Sequence, residues 1–123
     1  MKSLIFIFLT SLLVINCTEV QEVNTITTLE LKKLLSKDKI QLIDVRTQRE
    51  VKQGFIETAL FIDYFDKDFL IKVNRAVNKK RPVYLYCRSG NRSGKATKIL
   101  LENGFEVYNV IGGYTKWKIE NNK

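Results

Sequence analysis

The most constraining stretch of this chain is the apolar run Val83-Tyr84-Leu85-Tyr86. It leads without a spacer into Cys87-Arg88-Ser89-Gly90-Asn91-Arg92-Ser93 and then into an amphipathic segment that stops at Asn103-Gly104. A short run that is apolar or aromatic at every position suits a central strand covered on both faces. Beyond the loop, Ala96, Ile99 and Leu100 recur at helical spacing. The reading is strand, tight loop, helix start, with a thiol as the first loop residue. A loop of this kind turns successive backbone N–H groups inward, and the helix adds its unpaired N-terminal donors, so the enclosed space favours an anion. A thiolate or a persulfide is such an anion.

The same alternation runs through the rest of the chain. Thr25-Ile26 reads as a brief edge strand, and Thr27-Thr28-Leu29-Glu30 has the spacing of a capping box before a helix with Leu31, Leu34 and Leu35 on one face, ending near Ser36. The run from Ile40 to Val45 is strand-like, Thr47-Gln48-Arg49-Glu50 repeats the capping box, and Gly54 suits an αL stop to the short helix that follows. The run from Ala59 to Asp63 is a further strand. Asp66 or Asp68 is then the expected cap of a helix with Phe69, Leu70, Val73, Ala76 and Val77 on one side, closed by Lys79-Lys80-Arg81-Pro82. A last strand from Glu106 to Val110 precedes Gly112-Gly113 and a terminal helix carrying Tyr114 and Trp117. This order predicts a three-layer α/β domain over residues 23–121, with a mainly parallel five-stranded sheet and helices on both faces. In such sheets sites lie at the carboxyl ends of strands, where Cys87 stands.

The N-terminus reads as a separate element. Met1-Lys2 is a short basic start, Leu4 to Ile15 is apolar apart from Thr10 and Ser11, and polar sequence begins at Asn16. This is the layout of a bacterial export signal, shorter than the ~20 residues a permanent spanning helix needs. Val14-Ile15-Asn16-Cys17 resembles a lipobox, with Asn16 where a small residue is usual; the resemblance implies cleavage before Cys17 and its lipidation. An ordinary signal cut nearby, or an uncleaved anchor, is the alternative. The expected organisation is an export signal over 1–17, a tether over 18–22 and the domain after it, on the periplasmic side of a membrane.

Several chemistries are excluded by what the chain lacks. With no histidine there is no Cys-His or Ser-His-Asp catalysis and no His-ligated metal; no metal or other cofactor is expected. Two cysteines cannot form a disulfide framework, and with Cys17 lipidated Cys87 is a single free thiol. Between Phe69 and Leu101 there is no Asp or Glu, while Lys72, Arg75, Lys79, Lys80, Arg81, Arg88, Arg92, Lys95 and Lys98 all fall inside. Part of this +8 chain is therefore a solvated basic face or a positive field that lowers the Cys87 pKa and draws in small anions. No nucleic-acid motif accompanies the charge, and nucleic acid is not an expected partner.

Taken together, Asp44-Val45-Arg46, Glu50, Gly54-Phe55-Ile56, the loop from Cys87 to Ser93 with Ala96, Gly104-Phe105, and Gly112-Gly113-Tyr114 to Trp117 resemble a single-domain rhodanese along essentially the whole mature chain. The resemblance implies a sulfurtransferase in which Cys87 takes sulfane sulfur from thiosulfate or a similar small anionic donor, holds it as a persulfide, and passes it to cyanide, a thiol or a thioredoxin-like reductant. Arg88 and Arg92 are then expected to lower the thiol pKa and hold the donor. Ser89 and Ser93 are expected to donate to the persulfide, Gly90 to permit the turn, and Asn91 to complete the loop. Phe55 stands where the family usually has His, and Thr58 where Gly is common.

Protein tyrosine phosphatases and arsenate reductases also use a cysteine in an amide cradle. The phosphatase signature of Cys, five residues and Arg would need arginine at position 93, where this chain has Ser93. The shorter loop favours a single sulfur over a phosphoryl group. Asp44 and Arg46 read as a structural strand-end acid and an arginine pairing across the fold, and Tyr114 and Trp117 as core or rim aromatics. A tethered binding or sulfur-carrier module with little free turnover is the second reading.

Overall fold

The computed structural model describes residues 22–122. The export-signal reading of 1–17, Cys17 and all of the tether but residue 22 lie outside the described residues. Within them the order is β1 (Thr25–Ile26), α1 (Thr28–Lys37), β2 (Gln41–Asp44), α2 (Gln48–Val51), β3 (Leu60–Phe61), α3 (Phe69–Ala76), β4 (Val83–Tyr86), α4 (Asn91–Glu102), β5 (Val107–Val110) and α5 (Gly113–Asn121). The five strands form one sheet in the order β1-β5-β4-β2-β3. Every pairing is parallel, so the sheet is wholly rather than mainly parallel.

The two-residue period of the strands sorts the core into two layers. Val83, Leu85 and Cys87 point with Ile43, Val45 and Val107 into a cluster closed by Phe69 and Val73 of α3 and by Ala96 and Leu100 of α4. Tyr84, Tyr86, Leu42 and Val110 point the other way, against Leu31 and Leu35 of α1 and Tyr114 and Trp117 of α5. Helices therefore cover both faces. Tyr114 and Trp117, both half-buried, pack against the second cluster.

Both capping boxes form. Thr27 and Glu30 exchange side chain-to-backbone bonds at the start of α1, and Thr47 and Glu50 do so at the start of α2. Neither Asp66 nor Asp68 caps α3 with its side chain: Asp68 occupies the cap position without a side-chain bond, and the Asp66 carboxylate pairs with Lys72 instead. Ala76 is exposed, whereas Val73 and Val77 on either side of it pack on the core. Gly54 lies beyond the last turn of α2 with φ +136°, outside the αL region, and a Cβ there would collide with the Tyr114 hydroxyl. Thr58 is the one described non-glycine residue with positive φ, at 74°. A β-branched residue is strained there, which gives a physical reason for glycine being common at this position.

The strand order places the site. The chain steps from β2 outward to β3, whereas β4 leads to β5 on the opposite side, so the order reverses between β2 and β4. The crevice beyond their carboxyl ends is where open α/β sheets bind ligands. Asp44 ends β2 and Cys87 directly follows β4 at this point.

Candidate active site

Cys87 is 1% exposed and sits at the start of the loop between β4 and α4. Its Sγ accepts from the Gly90 N–H at 3.1 Å and from the Ser93 hydroxyl at 3.2 Å. Burial pushes the thiol pKa up, but the Ser93 hydroxyl and the backbone N–H groups of Ser93, Gly90 and Ser89 more than offset it, leaving the pKa below its ordinary value.

The amides face the sulfur because the loop carbonyls are claimed from outside. The first N–H groups of α5 donate to them: Tyr114 to the Cys87 carbonyl at 2.8 Å and Thr115 to the Arg88 carbonyl at 3.0 Å. In a planar trans peptide the N–H points opposite to its C=O, so the Arg88 and Ser89 amides are turned away from α5. This approach needs Gly113, where a Cβ would lie 2.5 Å from the Cys87 oxygen and 2.6 Å from the Arg88 oxygen. Gly90 adopts φ +107° as the residue before α4. Its carbonyl accepts from the Asn109 side-chain amide at 3.1 Å and from the Gly94 N–H at 3.0 Å.

The two loop arginines are held differently from each other. Arg92 makes a bidentate pair with Glu50, both bonds at 2.7 Å. Glu50 also accepts from the Thr47 N–H at 3.0 Å and the Thr47 hydroxyl at 2.9 Å, so one carboxylate closes the α2 capping box and anchors the first turn of α4. Arg92, with smaller help from Thr47, holds the Glu50 carboxyl down to about 2. The guanidinium is thereby hydrogen-bonded to the scaffold; the hydroxyl and amide donors lead in depressing the Cys87 pKa, and the Arg92 charge and the thiolate favour each other without a direct hydrogen bond. Arg88 is exposed above the loop, and so are Ser89 and Asn91, whose side chains make no hydrogen bond to Sγ among the described residues. Of Arg88, Ser89, Gly90, Asn91, Arg92 and Ser93, the structure brings only Ser93 to the sulfur through its side chain; Ser89 and Gly90 act through backbone.

Asp44 and Arg46 pair with each other at 2.7 Å, 1% and 3% exposed, rather than across the fold. Arg46 also donates to the Gly54 carbonyl at 2.8 Å and lies over the Tyr114 ring, 4.2 Å from its centroid. Tyr86 donates to Asp44 at 2.7 Å and accepts from the Ile56 N–H at 3.0 Å. Burial, then the Asp44 charge, raises the Tyr86 pKa, so it remains protonated. This network ties the end of β2 to β4 and to α5 beneath the loop.

The chain matches the Rhodanese-like domain family over residues 27–120. It belongs to that family. The rhodanese-like domain is 35% identical over 91 residues to Thiosulfate sulfurtransferase GlpE of Coxiella burnetii (strain RSA 493 / Nine Mile phase I), covering 73% of this chain and 82% of that protein. It is 41% identical over 80 residues to Uncharacterized protein YqhL of Bacillus subtilis, covering 64% of this chain and 61% of that relative. A crystal structure of a rhodanese-like domain protein from Staphylococcus aureus superposes with a TM-score of 0.70 at 36% identity, covering 77% of this chain and 91% of the other. A sulfurtransferase-type function follows in general terms.

Two supports of the site are missing from the sequence reading of the loop. Glu50 reads from the sequence as the acid of the α2 capping box, and what the loop alone does not show is its second role as the partner of Arg92. Asn109 reads from the sequence as a strand residue. A lone amide in the run Val107-Tyr108-Asn109-Val110 is its signal, and it is buried at 6% exposure with an oxygen that has no partner among the described residues.

Proposed function

We propose that this rhodanese-like domain transfers sulfane sulfur from thiosulfate or a similar anionic donor to a thiol or cyanide through a Cys87 persulfide. The observation that carries the reading is the pair of donors on Sγ, the Gly90 N–H and the Ser93 hydroxyl, in a loop whose other amides also favour the thiolate. The thiolate attacks the outer sulfur of thiosulfate, the donor S–S bond breaks, and sulfite leaves with the electron pair. An acceptor thiolate then attacks the outer sulfur of the persulfide, and the electron pair returns to Cys87. Neither displacement needs a proton relay, which suits a chain without histidine. Arg88, exposed at the rim, is the available cation for the donor's sulfonate end.

In this reading the domain is exported, tethered through lipid on Cys17 and recycled by a low-mass thiol or a thioredoxin-like reductant. After incubation with thiosulfate, intact-mass measurement is expected to show one added sulfur, absent in Cys87→Ser, together with thiosulfate:cyanide turnover lost in the same variant. No added sulfur and no turnover in the wild type overturn the proposal. Failure of the mature protein to incorporate labelled fatty acid at Cys17 removes the tether.

A binding module is the second reading, favoured by the exposure of Phe55 (55%), Phe61 (43%) and Phe65 (66%). A partner retained by Cys87→Ser, beside negligible turnover, distinguishes it.

A further inference from the structure

The two edges of the sheet differ in charge. All strand pairings are parallel, so the Cys87 loop lies at the carboxyl edge and the turns that precede β2 and β4 lie together at the amino edge. Cations collect in those two turns. Lys37 is in the last turn of α1 and Lys39 follows it, while Arg75 is in the last turn of α3 and Lys79, Lys80 and Arg81 follow that. All six are exposed, and Asp38 is the single acid within the two turns. None of the six pairs with a carboxylate among the described residues. Glu102 and Glu106 lie at the same edge on the β5 side, where the Tyr108 hydroxyl donates to Glu106.

The six cations form one built surface rather than two separate runs. The Gln41 side chain donates to the Asn78 carbonyl at 3.0 Å and accepts from the Asn78 N–H at 2.6 Å. Arg81 donates to the Lys39 carbonyl at 2.7 Å. Between Lys39 and Arg81 a cleft of about 240 Å³ has apolar walls from Leu34, Ile40, Pro82 and Tyr84. Long cationic side chains around an apolar surface suit a lipid interface, where stems cover hydrocarbon and heads meet phosphate. The other end of α3 has the opposite sign: Asp63, Asp66 and Asp68 lead into it at the carboxyl edge.

The chain enters the domain from the basic edge. Thr25 of β1 lies opposite Asn109 in parallel register, and the Asn24 carbonyl accepts from the Asn109 N–H at 2.8 Å, so the backbone before Thr25 leads back toward the amino edge. In the sequence, the apolar run Leu4 to Ile15 precedes that entry.

We propose that the basic amino edge docks on an anionic bilayer and turns the Cys87 loop toward the aqueous side; this rests on the reading that the N-terminal segment keeps the domain at a membrane. A weak polybasic contact adds to an anchor and fixes its orientation. β4 has four residues, so at about 3.3 Å each Cys87 stands roughly 13 Å beyond Val83, farther than the screening length of about 8 Å at physiological salt. The loop therefore lies outside the field that holds the edge.

The test places the full chain in vesicles of phosphatidylcholine, alone or with about one third phosphatidylglycerol. Lysines are acetylated with a membrane-impermeant reagent, and mass spectrometry gives the modification of Lys39 and Lys79 relative to Lys116 and Lys118 in the same molecules. The two reference lysines are on α5, where Lys116 lies against Gly112 and Lys118 shares a groove with Arg88. The ratio is expected to fall about threefold on the anionic vesicles and to recover in half-molar salt. Lys37→Glu combined with Lys80→Glu abolishes the fall, whereas Lys95→Glu combined with Lys98→Glu, the same net charge change on α4, preserves it. An unchanged ratio, protection of the α5 lysines instead, or equal loss in both variants overturns the docking face. Flotation separates the two claims. A chain that floats with both vesicles at an unchanged ratio removes the docking face alone, whereas one that floats with neither removes the membrane reading and the docking face with it.

Discussion

Ser93→Ala isolates the one side-chain donor on the nucleophile among the described residues. Ser93 is fully buried, and its hydroxyl is 3.2 Å from Sγ. A hydrogen bond to a charged acceptor contributes about 1.5–3 kcal/mol, and at this length to sulfur the lower end applies. At 1.36 kcal/mol per pKa unit, the Cys87 thiol should rise by about one unit, since the backbone donors remain. The kinetic signature has two limbs. Well below both midpoints the thiolate fraction drops about tenfold, but a more basic thiolate is about threefold more nucleophilic, so alkylation slows only about threefold. Above both midpoints the variant reacts about threefold faster, and the two pH profiles cross. The assay is iodoacetamide alkylation of the Cys87 peptide from pH 4 to 10, read by mass spectrometry after cyanide has stripped any bound sulfur. An unmoved or lowered midpoint, or profiles that never cross, refutes the hydroxyl as a principal support of the thiolate.

Other perturbations probe the scaffold. The Glu50 carboxyl lies at about 2 against an ordinary 4.5, so the stability it contributes is complete above about pH 5 and is lost as pH falls toward 2. The full shift corresponds to about 3 kcal/mol, and solvent screening of its exposed quarter reduces the expectation to about 1–2 kcal/mol. Urea melts at pH 7 and pH 3 should show a smaller pH loss for Glu50→Gln than for wild type; parallel losses sink the assignment. Gly113→Ala drives a methyl into the Cys87 and Arg88 carbonyls, and should cost more than about 2 kcal/mol in urea unfolding while slowing Cys87 alkylation. Asn109→Leu removes the donor on the Gly90 carbonyl together with an unsatisfied oxygen. It should raise the midpoint of alkylation with a stability change under about 1 kcal/mol, and a large loss of stability with unchanged reactivity would mark Asn109 as purely structural. Thr58→Gly relieves left-handed strain against a more flexible unfolded chain, and a rise of about 0.5–1 kcal/mol in unfolding free energy is expected.

Much of the fold was legible because local rules and tertiary contacts agree. Apolar runs of strand length, two capping boxes and a glycine after α4 each specify their element whatever surrounds it. Where a side chain had a choice of partners, local reading fell short. Asp66 could cap α3 or pair with Lys72, and its carboxylate took the lysine. Ala76 is counted on the apolar side of α3, yet it is exposed while Val73 and Val77 take the core contacts. Arg92 could turn to the thiolate or to Glu50, and only the packing of α2 against the start of α4 decides it.

By itself the sequence determined the order of strands and helices, the thiol at the carboxyl end of a central strand, and a loop too short for the phosphatase pattern. These depend on residue type and spacing along one segment. The tertiary structure decided which donors reach the sulfur, because that depends on groups distant in the chain: α5 taking the loop carbonyls, Asn109 holding Gly90, and Glu50 taking the Arg92 hydrogen bonds. Hydrogen-bond direction is set by whichever element arrives from outside, and no local pattern within Cys87 to Ser93 records it.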